Sequence, residues 1–74
     1  GALDQLLLSI GQNVQSRRKA KKLSQKLIAD SAGLDRAYLS AIEGGKQNCS
    51  VGVLLKIASA LDVSVDELLR IDRA

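Results

Sequence analysis

A single glycine between two short apolar-faced segments constrains this chain more than any other feature. Residues 24–43, SQKLIADSAGLDRAYLSAIE, read as two short helices meeting at Gly33. Ile28, Ala32, Leu34, Leu39 and Ile42 fall on the inner side of such a corner, and Ala29 is small where the second helix must cross the first closely. Directly after a helix the backbone often turns to positive φ, which costs glycine almost nothing and other residues roughly 1 kcal/mol. The second helix begins at Asp35 and turns Arg36, Ala37, Tyr38, Ser40 and Ala41 outward.

Two helices joined this way form a helix-turn-helix corner, whose second helix is free to enter a DNA major groove. Composition narrows the alternatives. A chain of 74 residues is one domain with one small core. It has no His, Trp, Phe or Met and a single Cys, so an internal disulfide, a His/Cys zinc cluster and a Cys/His or Ser/His pair are excluded. An enzyme is not expected, nor a metal, cofactor or small-molecule substrate. With Tyr38 the sole aromatic, the core must be Leu, Ile, Val and Ala, which suits thin helix packing; the absence of Pro agrees.

The net charge of +3 conceals an asymmetry. Residues 11–50 carry eight lysines and arginines against Asp30, Asp35 and Glu43, a balance of +5, while the flanks carry −2. Positive charge thus gathers around the helix pair, as phosphate neutralisation requires, although a solvated face has the same composition. No apolar run approaches the roughly 20 residues of a bilayer span and nothing resembles a signal peptide, so a cytoplasmic protein without membrane contact is expected.

Taken in order, Leu3, Leu6, Leu7, Ile10 and Val14 give a long first helix, from residue 3 to about residue 21, with one buried stripe. Leu8 lies off that stripe, as an exposed leucine or as part of a contact with another chain. The end of this helix is basic, with Arg17, Arg18, Lys19, Lys21 and Lys22. Four later starts share a capping residue with an apolar residue before it and another four after it: Leu23, Ser24, Ile28; Leu34, Asp35, Leu39; Cys49, Ser50, Leu54; Val63, Ser64, Leu68. These are N-caps with hydrophobic staples, and Glu67 makes the last a full capping box. The fourth helix offers Leu54, Leu55, Ile57, Ala58 and Leu61 as its inner face, the fifth Val65, Leu68, Leu69 and Ile71. Gly44 and Gly45 end the third helix, and Lys46, Gln47 and Asn48 stand exposed after it. The whole chain reads as one all-α, five-helix domain.

LSQ at 23–25, IADSAGL at 28–34, YLSAIEGGK at 38–46 and LLKIASALDVSVDELL at 54–69 together resemble the Cro and phage-repressor (XRE) family, over nearly the whole chain. LDRAYLSAIEGGKQN, beginning at Leu34, also resembles the controller proteins of restriction-modification systems. The resemblance implies a compact lambda-repressor-like fold and a regulator that binds double-stranded DNA. It further implies that Gln25 holds a phosphate and buttresses the third helix. Arg36 and Tyr38 match positions that approach bases, with Ala37 between them on the groove face; an arginine there can fork onto guanine. The alternatives are an Arg36 that touches only phosphate and a Tyr38 ring packed over the helix edge. Ser40, Lys46, Gln47 and Asn48 match backbone or groove-edge positions, while Lys22 and Lys26 are expected on phosphates. Glu43 and Arg18 match a pair joining the recognition helix to the first helix, with a structural role.

Three residues depart from the family pattern. Arg17 stands where an aliphatic residue is usual, so its stem must follow the core edge and its guanidinium reach solvent or phosphate. Lys22 replaces a helix-ending glycine, which predicts strain of about 1 kcal/mol if the backbone stays left-handed there. Cys49 replaces a proline and fills a small apolar staple position.

The reading is a sequence-specific regulator acting as a homodimer on a palindromic operator, paired through Leu68, Leu69 and Ile71 because a short last helix cannot turn all three inward. The alternative from another class is a protein-interaction module, such as an antitoxin or a bridging factor. The basic patch favours DNA, whereas the module would need a large apolar surface.

Overall fold

A computed structural model describes residues 1–71 of the chain. Five helices follow in order: α1 (Ala2–Ala20), α2 (Gln25–Ala32), α3 (Arg36–Glu43), α4 (Val51–Leu61) and α5 (Val65–Leu69). The helix starts are those that capping chemistry selects. Ser24 Oγ accepts from the Leu27 N–H at 3.0 Å, Asp35 Oδ1 from Ala37 at 3.2 Å and Ser50 Oγ from Val53 at 3.1 Å. At α5, Glu67 Oε2 reaches back to the Ser64 N–H at 2.8 Å, completing the expected box.

The first four helices also end alike. A left-handed residue follows each, at Lys22 (φ 58°), Gly33 (φ 68°), Gly45 (φ 71°) and Asp62 (φ 58°). The next N–H then turns back five residues: Leu23 to the Arg18 carbonyl at 3.1 Å, Leu34 to Ala29 at 2.8 Å, Lys46 to Ala41 at 3.0 Å and Val63 to Ala58 at 3.0 Å. These are Schellman ends, which satisfy carbonyls the helix leaves unpaired. Lys22 therefore holds the strained conformation anticipated for it.

Ile10 and Val14 of α1, Ile28 and Ala29 of α2, Leu39 and Ile42 of α3, Leu54, Ile57, Ala58 and Leu61 of α4, and Leu68 of α5 form one core. Each large aliphatic among them is worth about 1.5–3 kcal/mol on burial. Helix α1 packs on α3, α4 and α5, while α2 bridges α3 and α4. The corner is thus held from behind on two sides.

Four apolar assignments need correction. Leu3 is exposed, because α1 at ~1.5 Å per residue runs the length of the molecule and its first turn overhangs the other helices. Leu55 is exposed because Leu54, Ile57, Ala58 and Leu61 already fill the stripe, and one step along a helix turns ~100° away from it. Leu69 and Ile71 are exposed as well: α5 has five residues and buries only Leu68 fully, with Val65 packed alongside.

Two polar or small residues of α1 decide how the other helices dock. A Cβ on Gly11 would sit 2.5 Å from the carbonyl oxygens of both Ile42 and Glu43, so the end of α3 lies directly on the α1 backbone. Asn13 Nδ2 donates to the carbonyls of Leu68 at 2.9 Å and Arg70 at 2.7 Å, closing a helix too short to cap itself. Lys21 Nζ does the same for α4 through the Leu61 carbonyl. No helix among the described residues is long and apolar enough to cross a membrane.

Candidate nucleic-acid interface

Helix α3 divides its residues by angle. Leu39, Ile42 and Glu43 are buried, and Arg36, Ala37 and Ser40 are exposed on the opposite side. The Asp35 carboxylate is engaged with the Ala37 N–H, and among the described residues Arg36 enters no ion pair. Its side chain is therefore not drawn back onto its own cap. Gln25, in the first turn of α2, joins Arg36, Ala37 and Ser40 around one shallow concavity. Residues eleven or more positions apart in sequence are brought together here by the Gly33 turn.

Behind the concavity lies a buried polar cluster. Arg18 Nε donates to Glu43 Oε2 at 2.8 Å and Arg18 Nη2 to Oε1 at 2.9 Å, while Arg18 Nη1 donates to the Leu23 carbonyl at 2.8 Å. Gln25 Nε2 donates to Glu43 Oε1 at 3.1 Å. Burial pushes the Glu43 carboxyl up, but the hydrogen bonds from Arg18 and Gln25 and the Arg18 charge outweigh it and hold the group below its ordinary value. The hydrogen bond to Glu43 raises the Arg18 guanidinium against the opposing effect of burial. The pair is structural, as anticipated, and Gln25 buttresses α3 through Glu43.

Other expected contact residues fall around this centre unequally. Lys22 is exposed in the α1–α2 turn, and Lys46, Gln47 and Asn48 are exposed after α3, where Gln47 Nε2 donates to the Asn48 carbonyl at 3.0 Å. Lys26 is exposed but paired with Asp30 at 3.0 Å along α2. Tyr38 is half-buried against the core, so its ring packs over the helix edge and leaves only part of it outward. Arg17 is not brought to the concavity: its Nη2 lies 3.6 Å from Glu67 Oε1, on the α5 side of α1. Half of the eight cations of residues 11–50 are thus engaged within the protein, at Arg17, Arg18, Lys21 and Lys26. Lys19, Lys22, Arg36 and Lys46 form no ion pair among the described residues.

The expected pairing surface also changes. Leu68 has 0% exposure and belongs to the monomer core, because the Asn13 clamp draws α5 onto α1 with that side inward; it cannot face a second chain. Leu69 and Ile71, at 40% and 47% exposure, keep the outward position. Cys49 is half-buried against the core, and burial pushes its thiol up, away from the reactive thiolate. Gly11 and Asn13 were not singled out from the sequence; an isolated glycine within a helical stripe was the available signal for the first.

A family profile described as Helix-turn-helix matches residues 14–68. The control protein C.SmaI of Serratia marcescens is 37% identical over 60 residues, which are 81% of this chain and 71% of that protein. The transcriptional regulator SinR of Bacillus subtilis is 44% identical over 61 residues, and the match spans 81% of this chain but 55% of SinR, about half its length. The crystal structure of the restriction-modification controller protein C.AhdI from Aeromonas hydrophila superposes with a TM-score of 0.81 at 44% identity, covering 84% of this chain and 94% of that one. A structure of SinR in complex with DNA superposes with a TM-score of 0.78 at 44% identity, covering 82% and 98%.

Proposed function

The chain belongs to the helix-turn-helix family of DNA-binding transcriptional regulators, and from that footing we propose that it binds duplex DNA sequence-specifically as a homodimer on a palindromic operator. The observation that carries this reading is the concavity lined by Gln25, Arg36, Ala37 and Ser40, where two helix starts meet on one exposed face. Arg36 reads a base edge, Ala37 and Ser40 lie against the groove, and Gln25 holds a phosphate near the start of α2. Lys22, Lys26, Lys46, Gln47 and Asn48 flank it on the backbone. Two such faces about 34 Å apart, related by a two-fold through Leu69 and Ile71, demand an inverted-repeat site.

Regulation follows from occupancy. Bound across a promoter the dimer blocks polymerase; bound just upstream it recruits it. The control protein of Serratia and the restriction-modification controller protein of Aeromonas are similar to this chain, which supports a regulatory role. The working compartment on this reading is the cytoplasm, with the DNA. Binding to a site selected from a random duplex library, titrated against salt, is the test. Lys19, Lys22, Arg36 and Lys46, which form no ion pair among the described residues, set a slope of log K against log salt of roughly −5 to −7 for the dimer. A flat response rejects DNA binding and favours a protein-interaction module, whereas recovered sites without two-fold symmetry reject the homodimer on a palindrome.

A further inference from the structure

Glu43 is the last residue of α3, and both its carboxylate oxygens are in use. Oε2 accepts from Arg18 Nε, and Oε1 accepts from Arg18 Nη2 at 2.9 Å and Gln25 Nε2 at 3.1 Å. A carboxylate anion can only accept, so only the nitrogen end of the Gln25 amide can face it. The carbonyl oxygen and the second N–H of Gln25 are left for the concavity that Gln25 lines with Arg36, Ala37 and Ser40. The anion is itself held in place by the Arg18 fork, with 2% of its side chain exposed, so the orientation it imposes is rigid.

We propose that Glu43 is a positioning residue for DNA recognition, acting through Gln25 by fixing which end of that amide meets the duplex. This rests on the DNA-binding reading above. One N–H of Gln25 is taken by Glu43, the other donates to the phosphate, and the carbonyl oxygen is held beside it as an acceptor toward the duplex. A neutral amide at position 43 presents either an acceptor or a donor, and Gln25 can turn over. The ion pair thereby carries a second duty besides joining α1 to α3.

A double-mutant cycle with Q25A tests this. E43Q should weaken binding to the selected duplex roughly 3–10-fold in the wild-type background, the scale of one oriented hydrogen bond, and less than about twofold in the Q25A background. E43D, which keeps the charge for Arg18 but withdraws the carboxylate from Gln25 by one methylene, should repeat the pattern and serves if E43Q is too unstable to assay. In the DNA-free protein, the Gln25 side-chain amide proton that faces Glu43 should be displaced in chemical shift and protected from exchange relative to a solvent-exposed glutamine, and E43Q should reduce both differences. Equal losses in both backgrounds would show Glu43 acting on the fold alone and overturn the proposal, as would Gln25 amide protons unchanged by E43Q. Failure of the wild-type protein to bind any duplex would remove the DNA reading itself, an outcome separable from these.

Discussion

The Arg18 guanidinium lies side-on against the Glu43 carboxylate, Nε to Oε2 at 2.8 Å and Nη2 to Oε1 at 2.9 Å, with both side chains at least nine-tenths covered. Removing one partner leaves a charge buried without its counter-ion. Arg18→Ala or Glu43→Ala should each cost about 3–5 kcal/mol, whereas Arg18→Met with Glu43→Leu should cost much less, since desolvation largely offsets the attraction in the intact pair. Denaturant unfolding of the three variants checks this, and a single-variant loss below about 1 kcal/mol would mark the pair as energetically a surface one.

The same pair fixes an acid limb. Glu43 is held below its ordinary value of 4.5, so its contribution to stability is fully present above that value and is lost as pH falls through the lowered folded one. Glu67, lowered by the backbone N–H of Ser64 and its hydroxyl, loses its share in the same direction. The hydrogen bond to Glu43 shifts Arg18 up from its ordinary value, so it contributes at every lower pH. Thermal unfolding followed from pH 7 downward should show stability falling below 4.5, and the fall should be shallower in Glu43→Gln.

Three backbone positions should respond in a fixed order. Gly11→Ala forces a methyl group to 2.5 Å from two carbonyl oxygens and should cost more than about 2 kcal/mol. Gly33→Ala meets nothing within 4 Å and should cost only the conformational strain, about 1 kcal/mol. Lys22→Gly should gain about 0.5–1 kcal/mol by relieving a φ of 58°. Melting temperatures rank all three, and a neutral Gly11→Ala would mean that α1 and α3 do not approach as described.

Reading and holding DNA should fail differently. Arg36→Ala should lose about 1–3 kcal/mol on the preferred site, little on random duplex, and accept other bases at one position of each half-site. Lys26→Ala should weaken both alike and flatten the salt slope by about one unit per site removed, less if Asp30 already neutralises Lys26. If the two variants behave the same, base reading moves to Tyr38 or to the loop at Lys46 and Gln47.

Adjacent leucines on α5 provide the test of association. Leu69→Asp should leave the fold intact and shift sedimentation to the monomer, while Leu68→Asp should unfold the chain, since that side chain is fully buried. A dimer that survives Leu69→Asp would place the two-fold elsewhere.

The corner and the four caps are legible in the sequence because each is written in residue types at short, fixed spacing, whereas the Arg18–Glu43 pair, 25 residues apart, is implied only by the family resemblance. Asn13 was not legible, since its partners are backbone carbonyls 55 and 57 residues away, and a carbonyl has no residue type. Gly11 escaped for the same reason: what it accommodates is the main chain of α3. Leu3 and Leu55 were over-assigned because periodicity reports the direction of a stripe but neither its width nor where the covering helices stop. Arg17 is expected to follow the core edge and reach solvent or phosphate, yet one step around α1 from Arg18 turns it to Glu67.

On α3, the residues that anchor the helix and those that face outward are different residues. Leu39, Ile42 and Glu43 hold it, while the side chains of Arg36, Ala37 and Ser40 form no hydrogen bond with the rest of the described protein. Whatever stands at those three positions, the helix is seated the same way. The outer face is in this sense an interchangeable vocabulary on a fixed mount, and a change of target requires three side chains to vary without the fold being solved again.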